Sequence, residues 1–241
     1  LTAKARGHRP VLVVQQDHLG GTLCFTDRDM DKADLREFKN TLIRQVRDAE
    51  IDVRLGVQAD PEYIRSEEPD VVLLAIGAAP ARPPIPGIEY GMNALEVYTH
   101  PERIGDSVLI IGGGLVGCEV ALHLAGLGRQ VTVAELQNRL APEAIHMYRS
   151  ALMEELEKRK VSIHLGLRCL EIGSTSAVFR TEGGQNTTLY SDTVIYALGM
   201  SPRSFPLDGT GIPVIKIGDC RKPGNVRSCT TDGYRTALEI L

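Results

Sequence analysis

Residues 108–135 limit what this chain can fold into more than any other stretch. Val108-Leu109-Ile110-Ile111 reads as a buried strand, and Gly112-Gly113-Gly114-Leu115-Val116-Gly117 as a glycine turn opening a small-residue helix. Val131-Thr132-Val133 then reads as a second strand, ending at Glu135. A G-x-G-x-x-G string is weak alone. Placed after an apolar strand, at the start of a helix, and followed about 20 residues later by a carboxylate, it describes a dinucleotide-binding βαβ unit.

Each position has a physical task in such a unit. Gly112 permits the tight turn out of the strand, Gly114 lets the backbone approach a pyrophosphate, and Gly117 lets the helix pack closely on the sheet. Gly113, Leu115 and Val116 complete the turn, whose free N–H groups lie at the positive end of the helix. Glu135 is placed to accept hydrogen bonds from the adenosine ribose hydroxyls, which favours NAD(H). A ribose 2′-phosphate there would meet like-charge repulsion of several kcal/mol, on the order expected at close range in an intermediate dielectric. Arg139, four residues on, could offset it, so NADP stays open as the alternative.

At 241 residues, the chain can bury one large or two medium cores. A hydrophobic content of 43% with 24 Gly and 13 Pro fits a loop-rich α/β protein. A formal net charge of −4 and the lack of a Lys/Arg block argue against a nucleic-acid surface. The longest apolar stretches, such as 71–79, are too short to cross a bilayer, and no leader-like segment opens the chain; the expected setting is cytoplasmic. The five cysteines (Cys24, Cys118, Cys169, Cys220, Cys229) stand singly, without metal-ligand spacing, so no metal site is expected.

The chain also repeats itself loosely. Residues 5–14 and 126–133 share the pattern of a helix end followed by a buried strand. Leu35, Phe38, Leu42, Val46 and Ala49 recur at helical spacing before Val53-Arg54-Leu55-Gly56. Ile145, Tyr148, Leu152 and Leu156 do the same before the strand-like residues 161–166. Residues 70–77 match 192–199 most closely, and the offsets Gly7 to Gly128 (121 residues), Gly77 to Gly199 (122) and Gly56 to Gly166 (110) align the copies with modest insertions. Two copies of one dinucleotide-binding plan are therefore expected. The first copy's glycine loop, by these offsets, belongs before Leu1, with residues 1–6 as the tail of its helix. A parallel sheet without its first strand would expose apolar area and unpaired backbone, and self-association into a homo-oligomer is the expected consequence.

Several segments together carry a family resemblance: Arg6-Gly7-His8, Leu19-Gly20-Gly21, the helix at 35–48, residues 69–80, Pro84-Ile85-Pro86-Gly87-Ile88, residues 112–119, residues 192–202, and Ile217-Gly218-Asp219-Cys220. In these the chain resembles the C-terminal, two-dinucleotide-domain half of the multidomain NADH:flavin oxidoreductases related to old yellow enzyme, such as 2,4-dienoyl-CoA reductase, 2-enoate reductase and trimethylamine dehydrogenase. That resemblance implies an α/β fold with two Rossmann-like three-layer domains. An NAD(P)-binding domain at 96–203 would be inserted in an incomplete FAD-binding-type domain, 1–95 plus 204–241. The barrel and iron-sulfur module of such enzymes would be a missing N-terminal partner.

The resemblance also implies residue roles. Gly20 and Gly21 would pass close to FAD; Ala75, Ile76 and Gly77 would form the crossover leaving the FAD domain. Asp219 would hydrogen-bond the FAD ribityl chain, or serve only as a turn residue after a strand. Glu119 would orient the nicotinamide end, or else cap or salt-bridge its own helix. Gly199 would lie beside the nicotinamide nucleotide at the return crossover. Two departures count against FAD in this chain: the absent first loop, and Gln15-Gln16 where the family usually carries a carboxylate.

Other features take plainer readings. Cys24 superficially resembles a redox-disulfide position, but Asp29 stands where its partner should be. His123 and His164 read as structural, and 154–160 as a solvated helix face. No catalytic residue is assigned, because hydride transfer between stacked cofactors relies on orientation more than on a protein acid or base. The expected function is a module that passes hydride from NADH to FAD within a larger oxidoreductase. The alternatives are a non-catalytic ADP- or NAD-binding structural module, and a stand-alone FAD-dependent NADH dehydrogenase or ferredoxin-reductase-like enzyme.

Overall fold

A computed structural model describes residues 1–206 and 211–240, and the chain in it divides into two units with separate sheets. Unit 1 comprises residues 1–28, 32–79 and 200–241, and unit 2 comprises 29–31 and 80–199. Residues 207–210 and 241, part of the expected C-terminal return at 204–241, lie outside the described residues.

Unit 1 begins with α1 (Thr2–Ala5), whose following residue Arg6 donates to the Ala237 and Ile240 carbonyls at 2.8 and 2.9 Å. β1 (Val11–Val14) is followed by a 3-10 helix at Gly21–Asp27 and, after residues 29–31 of unit 2, by α2 (Ala33–Asp48) and β2 (Asp52–Leu55). β1 and β2 run parallel, with Val11 opposite Asp52 and Val14 opposite Leu55. The apolar spacing of 35–46 thus does form one helix. α3 (Pro61–Ser66) starts where Asp60 accepts the Tyr63 N–H at 2.7 Å and Pro61 fills the first turn, which needs no donor there. β3 (Val72–Leu74) and β4 (Ala78–Pro80) follow.

Unit 2 holds β5 (Met92–Asn93), α4 (Glu96–Thr99), β6 (Ser107–Ile111), α5 (Leu115–Gly126), β7 (Gln130–Ala134), α6 (His146–Lys158) and β8 (Ser162–His164). After them come β9 (Arg168–Ile172), β10 (Ser176–Arg180), β11 (Asn186–Tyr190) and β12 (Thr193–Tyr196). Its main sheet is parallel, in the order β5-β12-β6-β7-β8. β6 and β12 are buried along nearly their whole length, as a parallel sheet covered on both faces requires. Leu109, Ile111, Ala134, Val194 and Tyr196 pack on one side against Ile172, Ala177 and Phe179 of the antiparallel meander β11-β10-β9. By the alternation of a strand, Val108 and Ile110 face the other layer, where α5 buries Cys118, Val120, Ala121 and Leu124. The layers are helices, parallel sheet and meander. The meander had no counterpart in the sequence reading.

The return into unit 1 supplies β13 (Met200–Pro202), paired with β4, and β14 (Val214–Lys216), parallel to β3. α7 (Val226–Glu239) closes the chain with a capping box in which Asn225 and Ser228 satisfy each other's backbone N–H. The α/β expectation holds. In unit 1 the parallel strands form two separate pairs, β1-β2 and β3-β14, and among the described residues no strand joins them. Unit 2 fills the equivalent place with β6, the strand that carries its glycine turn.

The expected apolar stripe of α6 is only half realised. Leu152 and Leu156 are buried, but Ile145 just before the helix is 76% exposed and Tyr148 is exposed. Helical spacing reports a shared face and cannot say where the neighbouring layer ends.

Candidate nucleotide-binding site

The chain leaves β6 at the middle of the five-stranded sheet. From there it goes to β7 on one side, and β12 comes in on the other, so the residues after Ile111 lie at a topological switch point, where open α/β sheets form ligand crevices. Gly112 turns there with φ +104°, and a Cβ on it would lie 2.5 Å from the Ala197 carbonyl oxygen after β12. A Cβ on Gly117 would fall on the Gly112 carbonyl oxygen, so the first turn of α5 can lie against the loop only with glycine at this position.

Gly114 is the N-cap of α5, and no side chain of its own caps the helix. Two carboxylates from elsewhere meet this turn instead. Glu135, one residue beyond β7 and buried, accepts the Gly113 N–H at 2.5 Å through Oε2 and the Gln137 N–H at 2.7 Å through Oε1. Glu143, in the loop before α6, accepts the Leu115 N–H at 2.5 Å. A third carboxylate, Glu119, accepts from the Tyr148 hydroxyl at 2.5 Å. Glu119 is thus engaged by α6.

Cys118 lies under this turn, fully buried, with its Sγ 3.3 Å from the Gly113 carbonyl oxygen. Burial, with the negative charges of Glu143, Glu135 and Glu119 added to it, pushes its thiol up to about 12. It is a packing residue at neutral pH. Cys24 is also raised, by burial first, despite Lys39 nearby. The described cysteines are free thiols.

The structure therefore gathers Gly112, Gly113, Gly114, Leu115, Val116, Gly117, Glu119 and Glu135 around one helix start. Arg139 is exposed on the loop following Glu135. Gly199 has φ +95° two residues past Ala197, and its carbonyl accepts the Ala81 N–H at 2.9 Å. The remaining candidates belong to unit 1. Gly20 and Gly21 have φ of +115° and +53° at the start of a 3-10 helix. Ala75, Ile76 and Gly77 follow β3, and the Gly77 carbonyl accepts the Arg203 N–H at 3.1 Å. Asp219 uses Oδ1 to accept the Gly224 N–H at 3.0 Å and the Cys229 thiol at 3.1 Å, so it organises the turn before α7.

Sequence reasoning missed Glu143, Gln137 and Tyr148. Nothing in their spacing marks them, because they reach the site from a loop and a neighbouring helix. It also missed Asp29, Tyr98 and His123 as a group at the other end of α5. There the Tyr98 hydroxyl donates to Asp29 at 3.0 Å, and His123 Nδ1 lies 3.8 Å from the same carboxylate. Arg159 ties Asp31 and the Leu122 carbonyl to the same place. Among the described residues, no group of three or more His, Cys, Asp or Glu could hold a metal ion, and no helix is long and apolar enough to cross a membrane.

Comparison with known proteins bears on this geometry. The pyridine nucleotide-disulphide oxidoreductase family model matches residues 23–224. The chain is 33% identical to bilirubin reductase of Mediterraneibacter gnavus, over 98% of this chain and 37% of that protein. It is 32% identical to NADH oxidase of Thermoanaerobacter brockii, over 100% of this chain and 38% of that protein. Among solved structures, 2-naphthoyl-CoA reductase in complex with 2-naphthoyl-CoA superposes with a TM-score of 0.92 at 26% identity, covering 99% of this chain and 37% of that one. The chain thus spans less than two-fifths of the length of these relatives, and the resemblance to the NADH:flavin oxidoreductases holds.

Proposed function

The chain belongs to the pyridine nucleotide-disulphide oxidoreductase family, and from that membership we propose that it is the dinucleotide-handling part of an NADH-dependent flavoprotein oxidoreductase. The observation that carries this reading is the cradle at 112–117, where a Cβ added to Gly112 or Gly117 would strike backbone and the N-cap of α5 has no side chain of its own. The turn is shaped for backbone to approach a ligand, and the helix start favours an anion.

The residues present fit a nicotinamide dinucleotide. The turn Gly112 to Gly117 would hold the pyrophosphate on its backbone N–H groups other than those of Gly112 and Gly113, which are bound to the Ala134 carbonyl and to Glu135. Glu135 is fixed by two backbone donors and keeps acceptor capacity for ribose hydroxyls, which favours NAD(H) over NADP. Arg139 would be the residue that admits a 2′-phosphate. Gly199 would border the nicotinamide half, and Glu119, held by Tyr148, would face it. Residues 96–203 would form the NAD(P)-binding domain. Bound NADH supplies a hydride, and in this reading the protein's part is to orient it and keep it dry.

For FAD the fit is incomplete. The FAD-type domain, 1–95 plus 204–241, offers Asp219, Gly20, Gly21 and the crossover 75–77. Among its described residues no second strand, glycine turn and helix of the same kind occurs. A second reading is a module that binds ADP or NAD without itself doing chemistry. An FMN barrel and iron-sulfur module in the same or a partner chain would then complete an enzyme, whose final substrate belongs to those parts. Self-association through unit 1 and a cytoplasmic setting complete the proposal.

Absorbance and calorimetry separate the readings. Yellow protein whose flavin band is bleached by NADH supports the oxidoreductase. Colourless protein that binds NADH or ADP supports the binding module, and absence of binding by any adenine dinucleotide or ADP refutes both.

A further inference from the structure

The Leu115 N–H is one of the free donors at the start of α5 through which a dinucleotide pyrophosphate would be held, and in this structure it is already used. Glu143 Oε1 accepts it at 2.5 Å, and the same oxygen lies 3.1 Å from where a Cβ on Gly114 would stand. One carboxylate oxygen therefore occupies both the donor and the space that glycine keeps open.

The loop that carries Glu143 is built to present it. Leu140 and Ala141 are buried, the Ala141 N–H donates to the Gly113 carbonyl at 2.8 Å, and Arg149 Nε donates to the Leu140 carbonyl at 2.8 Å. Ala141 adopts φ +42°, an unusual conformation for a residue with a side chain, and Pro142 follows. Glu143 itself is exposed. The anchors are fixed while the carboxylate can rotate into water without moving the backbone.

We propose that Glu143 is an internal stand-in for the dinucleotide pyrophosphate: it caps α5 in the ligand-free protein and must leave when nucleotide binds. The inference rests on the nucleotide-binding reading above. A carboxylate is the natural filler for a helix start with no cap of its own. Two anionic oxygens cannot share one N–H at hydrogen-bond distance without strong repulsion, so the seat holds one or the other. The apparent affinity is then the intrinsic affinity multiplied by the fraction of molecules in which Glu143 has swung out. The stand-in is specific for the pyrophosphate, since the ribose end is held by a different carboxylate, Glu135.

The test is calorimetry of the whole chain with NADH, ADP and adenosine as probes, comparing the native protein with Glu143→Gln and Glu143→Ala. Glu143→Ala is expected to bind NADH and ADP about three- to tenfold more tightly. Glu143→Gln, which keeps an acceptor but loses the charge, should fall between. Adenosine, which has no phosphate, should bind all three alike. Ligand-free Glu143→Ala should melt no higher than the native protein, because it loses a cap, so affinity and stability move in opposite directions. A merely structural residue would lower both. Native protein that binds NADH, with neither variant binding more tightly, overturns the stand-in role and leaves the nucleotide site intact. A gain that extends equally to adenosine also overturns it. Native protein that does not bind while Glu143→Ala does supports the proposal, and absence of binding by all three removes it together with the nucleotide-binding reading.

Discussion

Gly117 shows how strictly one residue can be specified. An alanine there would drive its Cβ into the Gly112 carbonyl oxygen, and neither backbone can retreat without moving α5 off the sheet. Gly117→Ala is expected to destabilise unit 2 by about 1–3 kcal/mol, as overpacking of a tight contact does, and to abolish NADH binding. Thermal melting and titration with NADH check both parts, and native-like binding would sink the close-approach account. Glu135 makes a second prediction. Its carboxylate holds Gly113 and Gln137 and is the ribose candidate, so Glu135→Ala should weaken NADH more than NADPH. An unchanged ratio of the two dissociation constants would refute the assignment. The placement of both residues at this turn was legible in the sequence, because it is set by distance along the chain from a recognisable strand. Glu143 was not, since its role depends on how a loop folds back over 28 residues. Asp219 was legible as a conspicuous carboxylate but not as the acceptor for Gly224 and Cys229.

At the scale of elements, α5 does two unrelated things at its two ends. Its start forms the cradle, while near its other end His123 is enclosed by groups from several segments. Asp29 lies 3.8 Å away, the Tyr98 ring centroid is at 4.9 Å, and the charges of Asp31 and Arg159 also act on it. Burial depresses the His123 pKa below its ordinary 6.5, more than Asp29 and Asp31 raise it. The folded imidazole therefore stays neutral where the unfolded one takes a proton. Its contribution is fully present above pH about 6.5 and is lost as pH falls from there through the folded value. Melting of unit 2 between about pH 7.5 and 5.5 should show falling stability, and His123→Gln should flatten that slope; an equal slope in the variant would exclude His123 as its source. The sequence marked α5 and α6 through glycine and apolar spacing. It did not mark the meander β9–β11, whose five-residue strands carry a short, mixed pattern such as Arg168-Cys169-Leu170-Glu171-Ile172. Their identity comes from packing against the sheet: Phe179 is buried in one cluster with the sheet residues Leu109, Ile111 and Tyr196.

For the whole molecule, the repeat in the sequence implies two similar domains, yet the two units differ in how completely their sheets bury apolar surface. Unit 2 has a five-stranded parallel sheet covered by a three-stranded meander, and Leu109, Ile110, Val133 and Ile195 are 0% exposed. Among its described residues, unit 1 has two separate parallel pairs and the short β4-β13 pair, a small cluster around Ile64, Leu74 and Cys220, and strand residues Val11, Leu12 and Leu55 that are 45%, 36% and 42% exposed. Apolar side chains left in water contribute little of the roughly 25 cal/mol per Å² that burial yields, so unit 1 should be the weaker of the two. Denaturant unfolding should then proceed in two steps, with unit 1 lost first. NADH should displace only the second step, because a ligand stabilises only the unit that holds its site; at about 100 times Kd the displacement corresponds to about 2.7 kcal/mol. Hydrogen exchange during the titration would assign each step to its residues. A single transition moved as a whole by NADH would mean that the two units fold as one, and early loss of exchange protection in β6 and β12 would make unit 2 the weaker of the pair.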